Sequence, residues 1–242
     1  NWNASSSFWI YGRYEKMSSE DFYGKTYGKD FDTSLYDLPE IKFRRKKVVR
    51  MVGKNKTVLD LGCSLGNISK GLLKNKNEVY GIDVAKESVD YCKTLGVKAK
   101  VHNVEEGKMP FKDNFFDVVV FSEVVEHLFN TDYAIREIYR VLKKGGYLII
   151  TTPNIAALNR RLKLFLGVNP GIDLGIESSG NERAIGHIRY FTFDSLKKLL
   201  KRNGLRVVHM SSDVIMLNRL RMYRLAKIFP RFGYTIYLKA RK

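Results

Sequence analysis

The decapeptide Val58-Leu59-Asp60-Leu61-Gly62-Cys63-Ser64-Leu65-Gly66-Asn67 constrains this chain more than any other segment. A short apolar run, Thr57–Leu61, breaks at a glycine, and a second glycine follows four residues later. Ile68, Leu72 and Leu73 then supply one face of a helix. Strand, glycine turn and helix in that order predict a βα unit with a tight crossover, because an apolar strand of this length needs cover on both faces.

The rhythm continues downstream. Glu78–Ile82 reads as a second strand ending at Asp83, and Val89, Cys92 and Leu95 mark a helix closed by Gly96 as a C-cap. Val97–His102 is a third predicted strand and Phe116–Phe121 a fully apolar fourth. Ala134, Ile138, Val141 and Leu142 form a helical stripe ended by Gly145-Gly146, and Tyr147–Thr151 is a fifth strand. Upstream, residues 41–52 read as a basic helix. The alternation predicts an α/β fold, a parallel sheet with helices on both faces. After Pro153 it stops. Ile155, Leu158, Leu162, Phe165 and Leu166 share one helical face, with Arg160, Arg161 and Lys163 elsewhere. The long remainder to residue 193 predicts a substrate cap. A helix over 194–203, a strand over 205–210 and a last strand over 234–238 complete the pattern, and 215–229 mixes basic and apolar residues around a whole helical circumference.

Gly62 and Gly66 allow close approach of backbone to a ligand, and the free N–H groups of the following helix face the same place. Asp83 ends the neighbouring strand, where a carboxylate accepts both hydrogen bonds of a ribose diol. A nucleoside site is therefore expected at the carboxyl edge of the sheet. A dinucleotide turn wants three glycines for its pyrophosphate, yet Ser64 occupies one of those positions and Asp60 opens the turn. An anion there disfavours phosphate and favours a ligand carrying an ammonium group, which points to S-adenosylmethionine.

The segments VLDLGCSLGNIS (58–69), VYGIDVA (79–85), VHNVEEGKMPF (101–111), FFDVVVFSEVVEHL (115–128) and RVLKKGGYLIITTPN (140–154) together resemble the class I S-adenosylmethionine-dependent methyltransferases. The resemblance implies a Rossmann-like, seven-stranded, mostly parallel sheet whose last strand is antiparallel, with a helical cap inserted after strand five. It places Asp60, Gly62 and Gly66 around the methionine end of the donor, with Cys63 and Ser64 of the same turn among the cofactor-binding residues, Asp83 at the ribose and Val84 beside the adenine. It sets Asn103 and Val104 at the adenine edge and Ser122 near the methionine portion. Ser64 replaces the usual glycine, and Asn103 the usual aspartate.

Strand four runs into Glu123-Val124-Val125-Glu126-His127. On a helix, positions 123, 126 and 127 project within about a third of the circumference. Two carboxylates and an imidazole therefore converge at the active edge, a set that suits a divalent metal such as Mg²⁺, with His187 of Gly186-His187-Ile188-Arg189 as a fourth ligand. The Glu-x-x-Glu-His spacing is similar to that of metal-dependent O-methyltransferases of quinone biosynthesis. Without a metal, His127 or His187 is the candidate general base for a hydroxyl. Tyr23 and Tyr27 are candidates to close over the donor, and His102 and His209 read as structural.

Composition enters through charge. The net charge is +18, and residues 214–242 hold eight basic side chains and no acidic one. Anionic partners follow: an anionic membrane met peripherally through the segment 155–166, a lipid-linked or small-molecule acceptor, and, behind these, nucleic acid. Two cysteines exclude a disulfide framework and fit a reducing, cytoplasmic setting. No run approaches the ~18 apolar residues that span a bilayer. The chain reads as one domain, with an N-terminal helical cover (1–52), a cofactor-binding core (53–153), a substrate cap (154–193) and a C-terminal part of the sheet (194–242). The activity expected is methylation of a small, lipid-linked or sugar-like hydroxyl. An RNA methyltransferase and a non-catalytic cofactor-binding module are the alternatives.

Overall fold

A computed structural model describes residues 38–170, 187–218 and 220–242. Helix α1 (Pro39–Val52) leads into β1 (Thr57–Leu61), α2 (Ser69–Lys74), β2 (Glu78–Asp83), α3 (Lys86–Thr94), β3 (Lys98–Val101) and β4 (Phe116–Ser122). A 3₁₀ turn (Val125–His127), α4 (Thr131–Val141), β5 (Leu142–Pro153) and α5 (Leu158–Phe165) follow. Next come α6 (Phe193–Arg202), β6 (Arg206–Ser212), β7 (Ile215–Leu217), β8 (Leu220–Met222), α7 (Tyr223–Ile228), a 3₁₀ turn (Pro230–Phe232) and β9 (Thr235–Arg241). Seven strands form one sheet in the order β3-β2-β1-β4-β5-β9-β6. β9 pairs antiparallel with both β5 and β6, and the pairings from β3 to β5 are parallel.

Alternate residues of the same strands feed two cores. Leu59, Val119 and Ile150 face α4 and α6, against Ile135, Ile138, Leu196 and Leu200. Val58, Val118, Val120 and Ile149 face α1, α2 and α3, against Val48, Val52, Leu72, Val89 and Cys92. Each such side chain contributes about 1.5–3 kcal/mol on burial, so the sheet centre is a rigid platform. Order β1-β4 at its middle reverses the winding direction, and that switch point opens the ligand crevice at the carboxyl ends of the strands.

Away from the Glu123–His127 corner, three expectations differ from the structure. β5 begins at Leu142, not Tyr147, and runs through Gly145 and Gly146. Gly145 has φ +78°, and a Cβ on Gly146 would lie 3.0 Å from the Asp117 and Lys143 carbonyl oxygens, so the pair makes an irregular stretch of strand possible where a terminator was expected. Segment 215–229 is not one helix. It opens with the β7–β8 hairpin, since Asn218 at φ +51° takes the left-handed conformation and ends any helix there. In α5, Arg160 is buried, not on a polar outer face: its Nη1 donates to the Asn154 carbonyl (2.6 Å) and its guanidinium lies over the Tyr234 ring. Tyr23, Tyr27 and Gly186 lie outside the described residues. Among the described residues no helix is long and apolar enough to cross a membrane.

Candidate functional site

The cofactor turn is built from backbone. Gly62 (φ +78°) and Cys63 both donate their N–H to the Ile82 carbonyl (2.8 and 3.0 Å), tying the turn to the end of β2. Ser64 (φ +44°) then donates its N–H to Asp83 Oδ2 (2.8 Å), and Ala85 donates to Asp83 Oδ1 (3.0 Å). One carboxylate therefore fixes both loops that border the crevice. The positive φ at Ser64 explains why glycine suits that position and why serine is a strained substitute. The glycines are also tight against protein. A Cβ on Gly62 would meet Val124 Cγ2 at 2.4 Å, and one on Gly66 would meet Leu95 Cδ1 at 2.6 Å. Their small size thus serves packing of the turn against its neighbours.

Asp60 is buried and accepts a hydrogen bond from Ser69 Oγ (2.6 Å). Burial, against that hydrogen bond, pushes its carboxyl up to about 7, with a further push from Asp83. Burial also raises Asp83, against the backbone N–H groups that favour its charge. A cation beside either carboxylate therefore favours its charged form. Cys63 and Cys92 are buried free thiols 3.6 Å apart, and Cys92 donates to the Ser64 carbonyl. Asn103 begins an Asx turn, accepting from the Glu105 N–H and donating to Glu106. Val84 follows Asp83 at the end of β2, Val104 is buried beside Asn103, and Ser122 Oγ shares a 2.7 Å hydrogen bond with Thr151 at the ends of β4 and β5.

Beyond Ser122 the chain does not continue as the expected helix. Glu123 sits at φ +56°, outside the single 3₁₀ turn that carries Glu126 and His127. This conformation costs about 1–3 kcal/mol. The Glu123 N–H donates to the Thr151 carbonyl (3.0 Å), its Oε1 accepts from Thr151 Oγ1 (2.8 Å), and its Oε2 pairs with Arg44 Nη1 (2.9 Å). Glu123 is therefore turned to α1 and lies outside the cluster that forms beside it. That cluster is Glu126, His127 and His187, with one ligand-capable atom of each within 4.8 Å of the others. Glu126 is 1% exposed. Its Oε2 accepts from Thr152 Oγ1 (3.0 Å), while Oε1 is buried with no hydrogen-bond partner, 3.9 Å from His187 Nε2. Burial, then repulsion by Glu123, pushes this carboxyl well above its ordinary range. The His127 and His187 rings stack at 4.8 Å, tilted by 52°.

The cap brings His187 here by main-chain bonds. The N–H groups of Ile188 and Arg189 both donate to the Glu126 carbonyl (3.0 Å each). The Arg189 guanidinium reaches the Leu128 and Phe129 carbonyls. Asn154 bridges to Phe191, closing the base of the cap. A cleft of about 410 Å³ lies beside it, lined by Ile155, Leu164, Val168, Pro170 and Tyr190 among others.

Sequence reasoning missed Arg44, Arg45, Arg189 and the threonines 151 and 152. Arg44 and Arg45 looked like part of a charged run. For Arg44 the signal is periodic: it precedes Val48 and Val52, the buried residues of α1, at four-residue steps. Arg45 Nη1 donates to Asn67 Oδ1 (3.0 Å), at the far end of the cofactor turn.

Residues 59–150 match the family model described as a methyltransferase domain. They form a class I S-adenosylmethionine-dependent methyltransferase domain. The chain is 33% identical over 116 residues to a ubiquinone biosynthesis O-methyltransferase of Pelagibacter ubique, covering 47% of this chain and 46% of that protein. An uncharacterized protein of Methanocaldococcus jannaschii is 28% identical over 211 residues, covering 82% of this chain and 80% of that one. The chain spans about half the length of most curated relatives it matches first. Among solved structures, an S-adenosylmethionine-dependent methyltransferase of Thermotoga maritima, described as a possible histamine N-methyltransferase, shares the fold. Its TM-score is 0.62 at 17% identity, covering 92% of this chain and 97% of that one.

The residues present fit the donor this family uses. The turn brings two carboxylates, Asp60 and Asp83, to one crevice. That set matches a ligand with an ammonium group and a ribose diol, and it suits a pyrophosphate poorly.

Proposed function

We propose that this protein is an S-adenosylmethionine-dependent O-methyltransferase acting on the hydroxyl of a small, apolar or lipid-linked acceptor. The observation that carries the reading is the Glu126–His187 pair, with the buried, unpartnered carboxylate oxygen of Glu126, set where the cap meets the carboxyl edge of the sheet. An amine acceptor needs no such base when it arrives neutral, whereas a hydroxyl gains most from one. The ubiquinone-biosynthesis relatives support oxygen as the acceptor atom, and the apolar lining at Ile155, Leu164 and Val168 supports an apolar body.

The bound donor supplies an activated methyl group on a sulfonium. Asp83 holds the ribose diol with its remaining lone pairs, and Asp60 gains charge beside the ammonium group. Gly62 and Ser64 keep the turn open toward the crevice, and Asn103 with Val104 flank the adenine. Ser122 borders the methionine portion. Arg45 fixes Asn67 and with it the far end of the turn. His187 takes the acceptor proton, and Glu126, 3.9 Å away, stabilises the imidazolium so formed. His127 packs on His187 and orients its ring. Arg189 locks the cap segment that follows His187, which excludes water from the reacting centre.

The test is acceptor choice. Purified protein with radiolabelled donor is offered a long-chain alkylcatechol and an alkylamine of equal chain length. Methyl ether formation, lost on Glu126→Gln and His187→Gln, is expected. Methylamine formation alone contradicts the reading, and donor binding with neither product favours a non-catalytic module.

A second reading has its own support: a divalent cation held by Glu126, His127 and His187, on the strength of their 4.8 Å spacing. Under it, chelation abolishes transfer and added Mg²⁺ or Zn²⁺ restores it. Under the first reading, chelation changes nothing.

A further inference from the structure

Helix α5 presents its apolar side outward. Leu164, Phe165 and Leu166 are 54%, 86% and 72% exposed, while Arg160 of the same helix points inward. Helix α5 packs beside the β7–β8 hairpin, which α7 also touches. The Arg161 guanidinium lies over the Phe232 ring of the last 3₁₀ turn. These elements therefore make one surface. Its other components repeat the pattern: Leu220, Ile228 and Phe229 are 57%, 66% and 53% exposed.

The charges carried by these elements have one sign, and two of their cations are paired from outside, Arg221 with Glu40 and Arg231 with Asp194. Residues 154–170 and 214–242 contain no aspartate or glutamate. Exposed Arg161 and Lys163 border the α5 apolar tip, and exposed Arg224 and Lys227 border that of α7. Large exposed apolar side chains ringed by cations match neither a solvated surface nor a nucleic-acid groove. Solvation disfavours the first component, and phosphate recognition has no use for it. Both components are satisfied together at a bilayer whose headgroups are negative. There the apolar tips enter the acyl boundary and the basic side chains stay at the headgroup level.

We propose that the tips of α5, the β7–β8 hairpin and α7 form an interfacial face that seats this protein on anionic phospholipid bilayers. The occupant is the lipid surface itself. The inference stands on exposure and charge, and holds whatever atom the active site methylates.

The test is co-sedimentation of the full chain with extruded vesicles of phosphatidylcholine, alone or with about a quarter phosphatidylglycerol, at about 0.1 M salt. Expected is partitioning at least about tenfold stronger to the anionic vesicles, with a loss of at least about tenfold in the double variant Phe165→Asp, Ile228→Asp. Single variants Lys163→Gln and Lys227→Gln lower binding by a smaller factor each. The circular-dichroism melt of each variant is matched to the parent, since all four positions are exposed. No partitioning to anionic vesicles overturns the proposal, as it would if another part of this chain covered the face. Binding unchanged by the double variant overturns it as well. So does a stable dimer in sedimentation that the double variant dissolves, because the face then belongs to a second copy.

Discussion

The two halves of the site are made in different ways. The cofactor half, from β1 to the loop after β3, is assembled by backbone N–H groups converging on one carboxylate, Asp83, and by the Gly62 turn. The acceptor half is assembled from four parts far apart in sequence: side chains join Arg44 on α1, the Glu123–His127 corner and the threonines of β5, and main-chain bonds to Glu126 bring in His187 of the cap. Backbone-built sites depend on local spacing and tolerate changes of partner. Side-chain-built sites depend on long-range packing, and they are where one family can vary its acceptor while keeping its donor.

The largest effect should separate the halves. His187→Ala is expected to lower methyl transfer about 10³-fold, about 4 kcal/mol, while leaving donor affinity within about twofold. A parallel loss of donor affinity, read by calorimetry, would merge them.

The pH dependence of stability, compared between the parent and Asp60→Asn, isolates the cofactor half from the raised Glu126 carboxyl of the acceptor half. Asp60 has its carboxyl raised to about 7 in the fold against 3.8 in the unfolded chain. The folded state therefore binds more protons between these values, so stability falls as pH rises from about 4 to about 7, by roughly 3–4 kcal/mol from this group. Denaturant titrations of Asp60→Asn should show that slope flattened. A slope identical to the parent's would remove the buried-carboxylate assignment.

Gly62→Ala tests the packing of the turn. It combines φ +78° with a Cβ 2.4 Å from Val124, and about 3 kcal/mol of destabilisation is expected. Gly53→Ala, at φ +89° with open space around it, should cost about 1 kcal/mol. Equal melting shifts for the two would show that conformation alone matters. Arg45→Ala should have the smallest effect, about 1 kcal/mol in donor binding through release of Asn67.

The same contrast explains what could be read from the residues. The apolar runs at Leu59, Val119 and Ile149 and the Gly62–Gly66 turn are local signals, and they place the sheet and the crevice without any long-range contact. Asp83 follows from them because a strand end is a local feature. The Glu123 corner was not legible in this way. A helix was expected from its spacing, but the left-handed conformation at Glu123 is held by Arg44 and Thr151, 79 residues upstream and 28 downstream in the sequence. Only tertiary contacts overcome that local cost. Likewise Arg160 carries a charge that reads as surface, and it is buried because the Asn154 carbonyl and the Tyr234 ring receive it. The β7–β8 hairpin rests on one left-handed asparagine that periodicity does not reveal.

The central claim is that the Gly62–Gly66 turn and Asp83 together hold the adenosyl donor. Calorimetric titration with S-adenosylhomocysteine tests it most directly. The account predicts one site per chain, with affinity reduced at least about 30-fold in Asp83→Ala and unchanged in His187→Ala. Absence of heat in the folded parent protein, or equal affinity in Asp83→Ala, would contradict it.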